Sequence, residues 1–477
     1  MNINCHVRPP AVVASVCLIS TLLLCSICLA NTDSQTHPHR GHRWVRSHPY
    51  TIMGLVRGHP NPFDIEKYRA AGFNALLPWE SSSFDQILPM AAQAGVPFHV
   101  HLEKWGEAVD KRWGQTVGAE SENSLREALK DFESQEKRAI IEKIIAHSGC
   151  VGFMVNDEVS HPQRLRYTRH MLKWLRKLHP NAIAYSNMHP AGHDNDLAYG
   201  SVDRYFDEFA AMVEPDILMT DVYPLGPPEG TSSNYFQLIA AVRTAALNHG
   251  MPYWMFIQSF QSEGNWIRRL PSESDLRFQM FVPLTHGYTG IGYFTYNIAF
   301  KCGLIDESGE PNRLYHAAAK ANPEVENVGA AMRFLTSIDV RYVPGHHADG
   351  NLMVPNKLPR DTTAWTRGAG GDNRITSVAI DGAGHGKDLL LGFFHDDDNE
   401  QYFMVTNLWH GANASSDDRA LTVSVKFAPH IRKLYRLDRI SGDTVRVNLN
   451  RGILRTSLPG GTGDLYKYTA TPFPGMN

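Results

Sequence analysis

Two acidic stations in this chain carry side chains of the kind that does proton chemistry. The first follows a short apolar run: Cys150 to Val155 reads as a buried strand and gives way at once to Asn156, Asp157 and Glu158. Adjacent carboxylates at such an end are costly unless they are solvated, paired or used. The plain alternative is a strand-to-helix loop in which Asp157, Glu158 or Ser160 caps the next helix. The second station is Met219-Thr-Asp221-Val-Tyr223, where the period of two puts Asp221 and Tyr223 on one face of a strand. Two carboxyl groups held together can cleave an acetal, one protonating the leaving oxygen while the other attacks or activates water. On the sequence, Glu158 is the candidate acid, and Asp157 orients it or raises its pKa by like charge. Asp221 is the candidate second carboxylate, ahead of Glu80, Glu103 and Glu263.

Such side chains need a frame. From Tyr50 onward, short apolar runs alternate with longer helical patterns. The strand expectations are 50–56, 73–78, 97–102, 150–155, 182–186, 217–220, 253–257 and 290–295, each followed by a helical stretch. Eight strand-helix pairs are what a (β/α)8 TIM barrel requires, because parallel neighbours need a crossover each time. Strand carboxyl ends then face one pocket. They bring together Arg57 and His59; Trp79 and Glu80; His101 and Glu103; Asn156, Asp157 and Glu158; Asn187 and His189; Asp221 and Tyr223; Gln258; and Tyr296 with Asn297. Carboxylates, amides, imidazoles and aromatic rings without a glycine-rich phosphate loop suit a sugar, whose hydroxyls need both donors and acceptors. The substrate-binding expectation is therefore Trp79, Glu80, His101, Glu103, Asn156, Asn187, His189, Tyr223, Gln258 and Tyr296, with Trp105, Trp113 and Trp266 as further ring platforms.

Past Ile338 the helical period stops, and seven alternating runs between Ile375 and Tyr468 indicate a smaller antiparallel β-sandwich. The expected division is 1–30 signal peptide, 31–49 flexible leader, 50–338 barrel and 339–477 sandwich. The apolar run Ala11 to Leu29 before Ala30 carries the export expectation, to the periplasm or the cell exterior, with no stable membrane association after cleavage. With 477 residues, 43% hydrophobic, and a net charge of -3, the chain has material for two cores and no basic surface for nucleic acid. No cofactor and no metal are expected; the partner is an oligo- or polysaccharide.

With these residues placed, the chain resembles the clan of (β/α)8 retaining glycoside hydrolases that includes the β-galactosidase-like enzymes. Gly152-Phe-Met-Val-Asn-Asp-Glu158 is similar to the clan's strand-four motif, Tyr223 matches a tyrosine near the end of strand six, and Gly290-Ile-Gly-Tyr-Phe-Thr-Tyr296 matches a glycine-rich eighth strand. The resemblance implies an acid/base role for Glu158 and a nucleophilic Glu at the end of strand seven. The chain departs from the pattern there, since Phe256-Ile-Gln258-Ser-Phe260 offers an amide, which cannot serve as a carboxylate nucleophile. Glu263 or Asp221 substituting, an inverting mechanism, or a barrel that binds sugar without cleaving it each follow from that departure. His99-Val-His101 with His189 also raises a metal-dependent amidohydrolase, although that superfamily wants its histidine pair on the first strand.

Overall fold

Parallel strands that are apolar on both faces close on themselves here because both faces must be covered, one by helices and the other by the strands' own side chains. The computed structural model describes residues 39–58, 63–102, 129–160, 162–189, 199–227, 230–232, 234–297, 300–345, 358–359, 362–382 and 387–476. The barrel strands are β1 (Thr51–Val56), β2 (Ala75–Pro78), β3 (Phe98–His101), β4 (Cys150–Met154), β5 (Ile183–Tyr185), β6 (Asn187–Met188), β7 (Leu218–Val222), β8 (Tyr253–Gln258) and β9 (Gly290–Phe294). Their order is β5-β4-β3-β2-β1-β9-β8-β7-β6, all parallel. Because β5 and β6 are one run interrupted at Ser186, the circle is completed across a single residue. The TIM-barrel expectation holds, with the fifth strand split between its two neighbours.

The lumen is packed. Met53, Leu77, Met154, Tyr185, Met219, Trp254 and Phe256 form one buried cluster inside it. Gly290 and Gly292 make the room: a Cβ on them would lie 2.6 Å from the Trp254 ring and 2.5 Å from the Phe256 ring. His99 sits in the same layer, its Nδ1 3.2 Å from Tyr185 Oη. The floor is closed by α1 (Arg40–Ser47), whose Trp44 lies 5.8 Å from the Trp254 ring and 6.0 Å from the His99 ring. This corrects the flexible leader expected over 31–49 for its part 40–47, while 31–38 lie outside the described residues. The stretch is polar, but Trp44 and Val45 are buried and the Arg40 guanidinium pairs with Asp216, so its few apolar groups suffice to seat it. The signal-peptide expectation over 1–30 lies outside the described residues. Among the described residues no helix is long and apolar enough to cross a membrane.

Around the barrel stand α2 (Ile65–Ala70), α3 (Phe84–Gln93), α4 (Gln135–Ile145), α5 (Pro162–Leu178), α6 (Val202–Val213), α7 (Tyr235–Asn248), α8 (Glu273–His286) and α9 (Arg313–Met332). Helix α8 is buried from Ser274 to its end, because the second half of the chain covers the side that would otherwise face water. That half forms a six-stranded antiparallel sheet, β10 (Thr336–Val343), β12 (Leu389–His395), β13 (Gln401–Asn407), β18 (Gly463–Lys467), β15 (Lys433–Leu437) and β16 (Thr444–Asn448), in this order. It faces a three-stranded sheet of β11 (Ile375–Ile380), β14 (Leu421–Phe427) and β17 (Ile453–Leu458) across a shared apolar cluster. The sandwich begins at Thr336, inside the stretch assigned to the barrel. The segment 336–343 alternates as a strand should, yet it is half-exposed and directly continues a helical pattern. Strand β17 was also missed, its apolar positions being diluted by Arg455, Thr456 and Ser457.

Candidate active site

The carboxyl end of β4 is built from an irregular turn. Asn156 and Glu158 both adopt left-handed backbone, at φ 55° and 51°, a conformation that non-glycine residues hold only when their surroundings impose it. What imposes it is visible. Asn156 Nδ2 donates to Thr168 Oγ1 on α5 at 2.8 Å, and Glu158 N donates to the Asn187 carbonyl at 3.1 Å. Asn156 is thereby turned into the helix layer, and as an anchor of the turn it does not meet the expectation of a substrate contact.

The turn brings three acids together. Asn187, the first residue past the break in the fifth strand, donates from its single Nδ2 to Asp157 Oδ1 at 3.0 Å and to Asp221 Oδ1 at 2.7 Å. Those two oxygens can be no farther apart than the two bonds laid end to end, short of the ~6.5–9.5 Å that an inverting pair keeps for its water. Glu158 stands close enough to weigh on Asp221, Tyr223 and Tyr205. Tyr223 in turn hydrogen-bonds Asp221, as the one-face placement of the two side chains requires.

No cation is paired with Asp157, Glu158 or Asp221 among the described ion pairs. The consequence is that all three are shifted upward. Burial, opposed by the Asn187 hydrogen bond and helped by the neighbouring Glu158 charge, raises the Asp157 carboxyl to about 7. Burial raises Glu158 as well, and it raises Asp221 well above the carboxylate range, with the Glu158 and Asp157 charges adding to it. The three differ in access: Asp221 is 1% exposed, Asp157 is half-buried, and Glu158 is the most exposed residue of the three although its carboxyl is still partly desolvated.

Rings and one ion pair complete the mouth. Trp79 stacks on His101 at 3.8 Å, and His101 is buried and kept neutral by that burial, its pKa lowered to about 3. Glu80 lies 3.7 Å from Arg57. Tyr223 stacks on Phe294 at 5.3 Å and meets Trp266 at 5.9 Å, while Trp266 and Phe300 remain 39% and 44% exposed. His189 is half-buried at the end of β6, its backbone N–H on Tyr205 Oη at 3.0 Å. Phe294 was not singled out from the sequence, although the spacing Gly290, Gly292, Phe294 puts it on the lumen face.

Two expected contacts are placed elsewhere. Gln258 is fully buried and spent on backbone: its Oε1 accepts from Leu225 N at 2.9 Å, and its Nε2 donates to the carbonyls of Leu225 and Arg269 at 3.3 and 2.8 Å. It clamps two loops together and offers nothing to a ligand. Tyr296 packs among Phe63, Tyr68 and Phe73 in the helix layer, because the chain leaves the lumen face after Phe294. Glu263 is exposed and paired with Lys301, which removes it as a second carboxylate. Glu103, Trp105 and Trp113 lie outside the described residues, as does His59. Among the described residues no three His, Cys, Asp or Glu side chains are grouped to hold a metal.

The fold has solved relatives in shape. The structure is similar to a β-galactosidase from the psychrophilic Marinomonas ef1 (11% identity, TM-score 0.45, covering 62% of this chain and 63% of that one). It is also similar to an endo-β-1,4-mannanase from Thermotoga petrophila (11%, 0.40, 76% and 96%) and to AbfB, a family 51 α-L-arabinofuranosidase from Bifidobacterium longum (8%, 0.42, 88% and 96%). These neighbours are glycoside hydrolases. The chain spans less than two thirds of the galactosidase. No family model matches the sequence, and no curated protein matches it. Likeness at this level says nothing of the chemistry at the three carboxyl groups, which rests on their own geometry.

Proposed function

We propose that the protein is an exported glycoside hydrolase in which Asp157 and Glu158 are the working carboxyl pair and Asp221 is their support. The observation that carries this reading is the carboxyl cluster at the end of β4: three acids and one shared amide, with no counter-cation among the described residues. A general acid works best with a pKa near the operating pH, and Asp157, half-buried and raised to about 7, meets that condition. Glu158, the exposed member, is the group that can approach an anomeric carbon or a water beside it. Asp221, sealed beneath, holds Asn187 and so holds Asp157 in place. This revises the roles drawn from the sequence, where Glu158 was the acid and Asp221 its partner. The three carboxyls titrate as a set, so the proton count belongs to the cluster. The substrate follows from the walls: Trp79, Tyr223, Phe294 and Trp266 offer ring faces for a pyranose or furanose, and Glu80 with Arg57 offers polar contacts at the rim.

The test is release of reducing ends from a panel of polysaccharides and aryl glycosides. Asp157→Asn and Glu158→Gln should each lower kcat by at least about 10³-fold, within what removal of an acid or nucleophile costs. Asp221→Asn should cost less, about 10- to 100-fold, as a supporting group does. Asp221→Asn equalling the other two would restore it as a working carboxylate. A wild-type protein that binds oligosaccharide yet cleaves none would favour the second reading, a sugar-binding barrel, which the amide at Gln258 supports.

A further inference from the structure

We propose that His410, a residue of the sandwich, is a positioning residue for the mouth of the barrel. It lies in the short turn after β13, which is itself rigidly held: Trp409 N donates to Asn407 Oδ1 at 2.8 Å, and the Gly411 carbonyl accepts from Ser272 Oγ at 2.8 Å. Its imidazole is 8% exposed and stacks on Phe278 of α8 at 4.1 Å. Both ring nitrogens are engaged across the boundary. Nδ1 donates to Asp275 Oδ1 at 2.7 Å, and Nε2 meets Thr231 Oγ1 at 3.1 Å.

Each contact leads to the site. Thr231 belongs to a two-stranded ribbon, Gly230–Thr231 paired with Leu225–Gly226, and Leu225 is two residues beyond Tyr223. Asp275 closes the capping box of α8 and also takes the Arg269 guanidinium, with Nη2 at 2.9 Å from Oδ1. Arg269 N donates to the Leu225 carbonyl at 3.2 Å, and the Arg269 carbonyl accepts from Gln258 Nε2 at 2.8 Å. The neighbouring Arg268 Nε donates to the Tyr223 carbonyl at 2.8 Å. The imidazole therefore grips both the ribbon and the loop that fix the backbone of Tyr223, whose hydroxyl rests on Asp221. The buried Asp275, paired with a guanidinium and an imidazole at once, is the hub of this linkage. The sandwich is thus a structural part of the mouth and not an appended module. The effect on turnover rests on the proposed hydrolase reading; the linkage itself does not.

Three variants separate positioning from packing. His410→Phe keeps the stack on Phe278 and deletes both polar contacts, His410→Asn keeps a donor near Nδ1, and Thr231→Val deletes the second contact alone. In the full-length protein, hydrogen exchange at the amides of Leu225 and Arg269 should rise by about tenfold or more in His410→Phe while β1 to β4 stay as in wild type. On a glycoside that the wild type cleaves, kcat should fall ~10- to 100-fold with KM within about twofold, as a misplaced group produces. His410→Asn should recover most of both, and Thr231→Val should show the exchange effect at the ribbon. Unchanged exchange at Leu225 and Arg269, or a rise spread evenly over the barrel, overturns the proposal. So does a His410→Phe protein with wild-type kcat. If the wild type cleaves no glycoside, the hydrolase reading falls and the exchange measurement still decides the linkage.

Discussion

Asp221 and Asp275 are both aspartates with almost no solvent contact, 1% and 0% exposed, and the chain treats them in opposite ways. Asp275 receives an arginine, an imidazole and a backbone N–H, which hold its carboxyl far below the carboxylate range. Asp216, 2% exposed, is likewise contacted by cations and a backbone donor, namely Arg40, Arg176 and the Ala184 N–H. Asp221 receives one shared amide, a tyrosine hydroxyl and two acidic neighbours, so burial and those neighbours raise its carboxyl well above the usual range. Cations are plainly at the chain's disposal for buried acids. Among the described residues none is paired with Asp157, Glu158 or Asp221, and it is on such perturbed carboxyls that the function proposed above rests.

The widest separation between the two regions should come from stability. Asp275→Ala strands Arg269 and unseats His410 and should cost about 3–5 kcal/mol in urea unfolding at pH 7, as removal of one buried partner does. Asp157→Asn, in contrast, should leave the protein as stable as wild type or more so. A loss above about 2 kcal/mol there would mean that the cluster is structural and would erase the contrast.

The pH dependence sharpens the same point, with opposite signs. The Asp157 carboxyl is raised from its ordinary 3.8 to about 7, so its contribution is fully present below about pH 4 and is lost as the pH climbs through 7. That of Asp275, which is lowered, is present above about pH 4 and is lost on acidification. Between pH 4 and 8, Asp157→Asn should therefore gain on wild type by an amount on the order of 2–4 kcal/mol, given about 1.4 kcal/mol per pKa unit. A flat difference between the two proteins over that range would contradict the shift.

Smaller effects follow at the seventh strand and the rim. Gln258→Glu would turn a carboxylate on the Leu225 and Arg269 carbonyls, and should cost about 1–3 kcal/mol without raising activity. An active, stable Gln258→Glu protein would mean that this strand end can face the ligand after all. Trp266→Ala should raise KM a few-fold and shift stability by less than about 0.5 kcal/mol, as an exposed side chain does.

Periodicity made the barrel legible: all eight strand expectations fall on observed strands, and the acidic turn after β4 was recognisable from its abrupt change of polarity. Direction was not legible. Asn156 and Gln258 occupy strand ends as expected, but their amides are consumed by Thr168 and by the Leu225 and Arg269 backbone, and nothing in residue type distinguishes an amide that binds substrate from one that binds loops. Tyr296 turned out of the lumen because the strand ended at Phe294, a boundary that alternation alone leaves soft. The bridging role of Asn187 and the reach of His410 depend on partners 34 and 135 positions away, which no local pattern encodes. Helix α1 escaped notice because it is only eight residues long and mostly polar, although its buried residues, Gly41, Trp44 and Val45, share one face.

That same helix decides how traffic through the barrel runs. With Trp44 seated under Trp254 and His99, the described residues give the vessel a bottom, and on the hydrolase reading proposed above substrate would come to the carboxyls from the opposite end. Water for the second half of a hydrolysis, the departing aglycone and the released sugar would all queue at the ring-lined rim. A product lingering on Trp79 or Tyr223 would then stand in the path of the next substrate, so inhibition by the released sugar should be competitive and should weaken when those rings are trimmed.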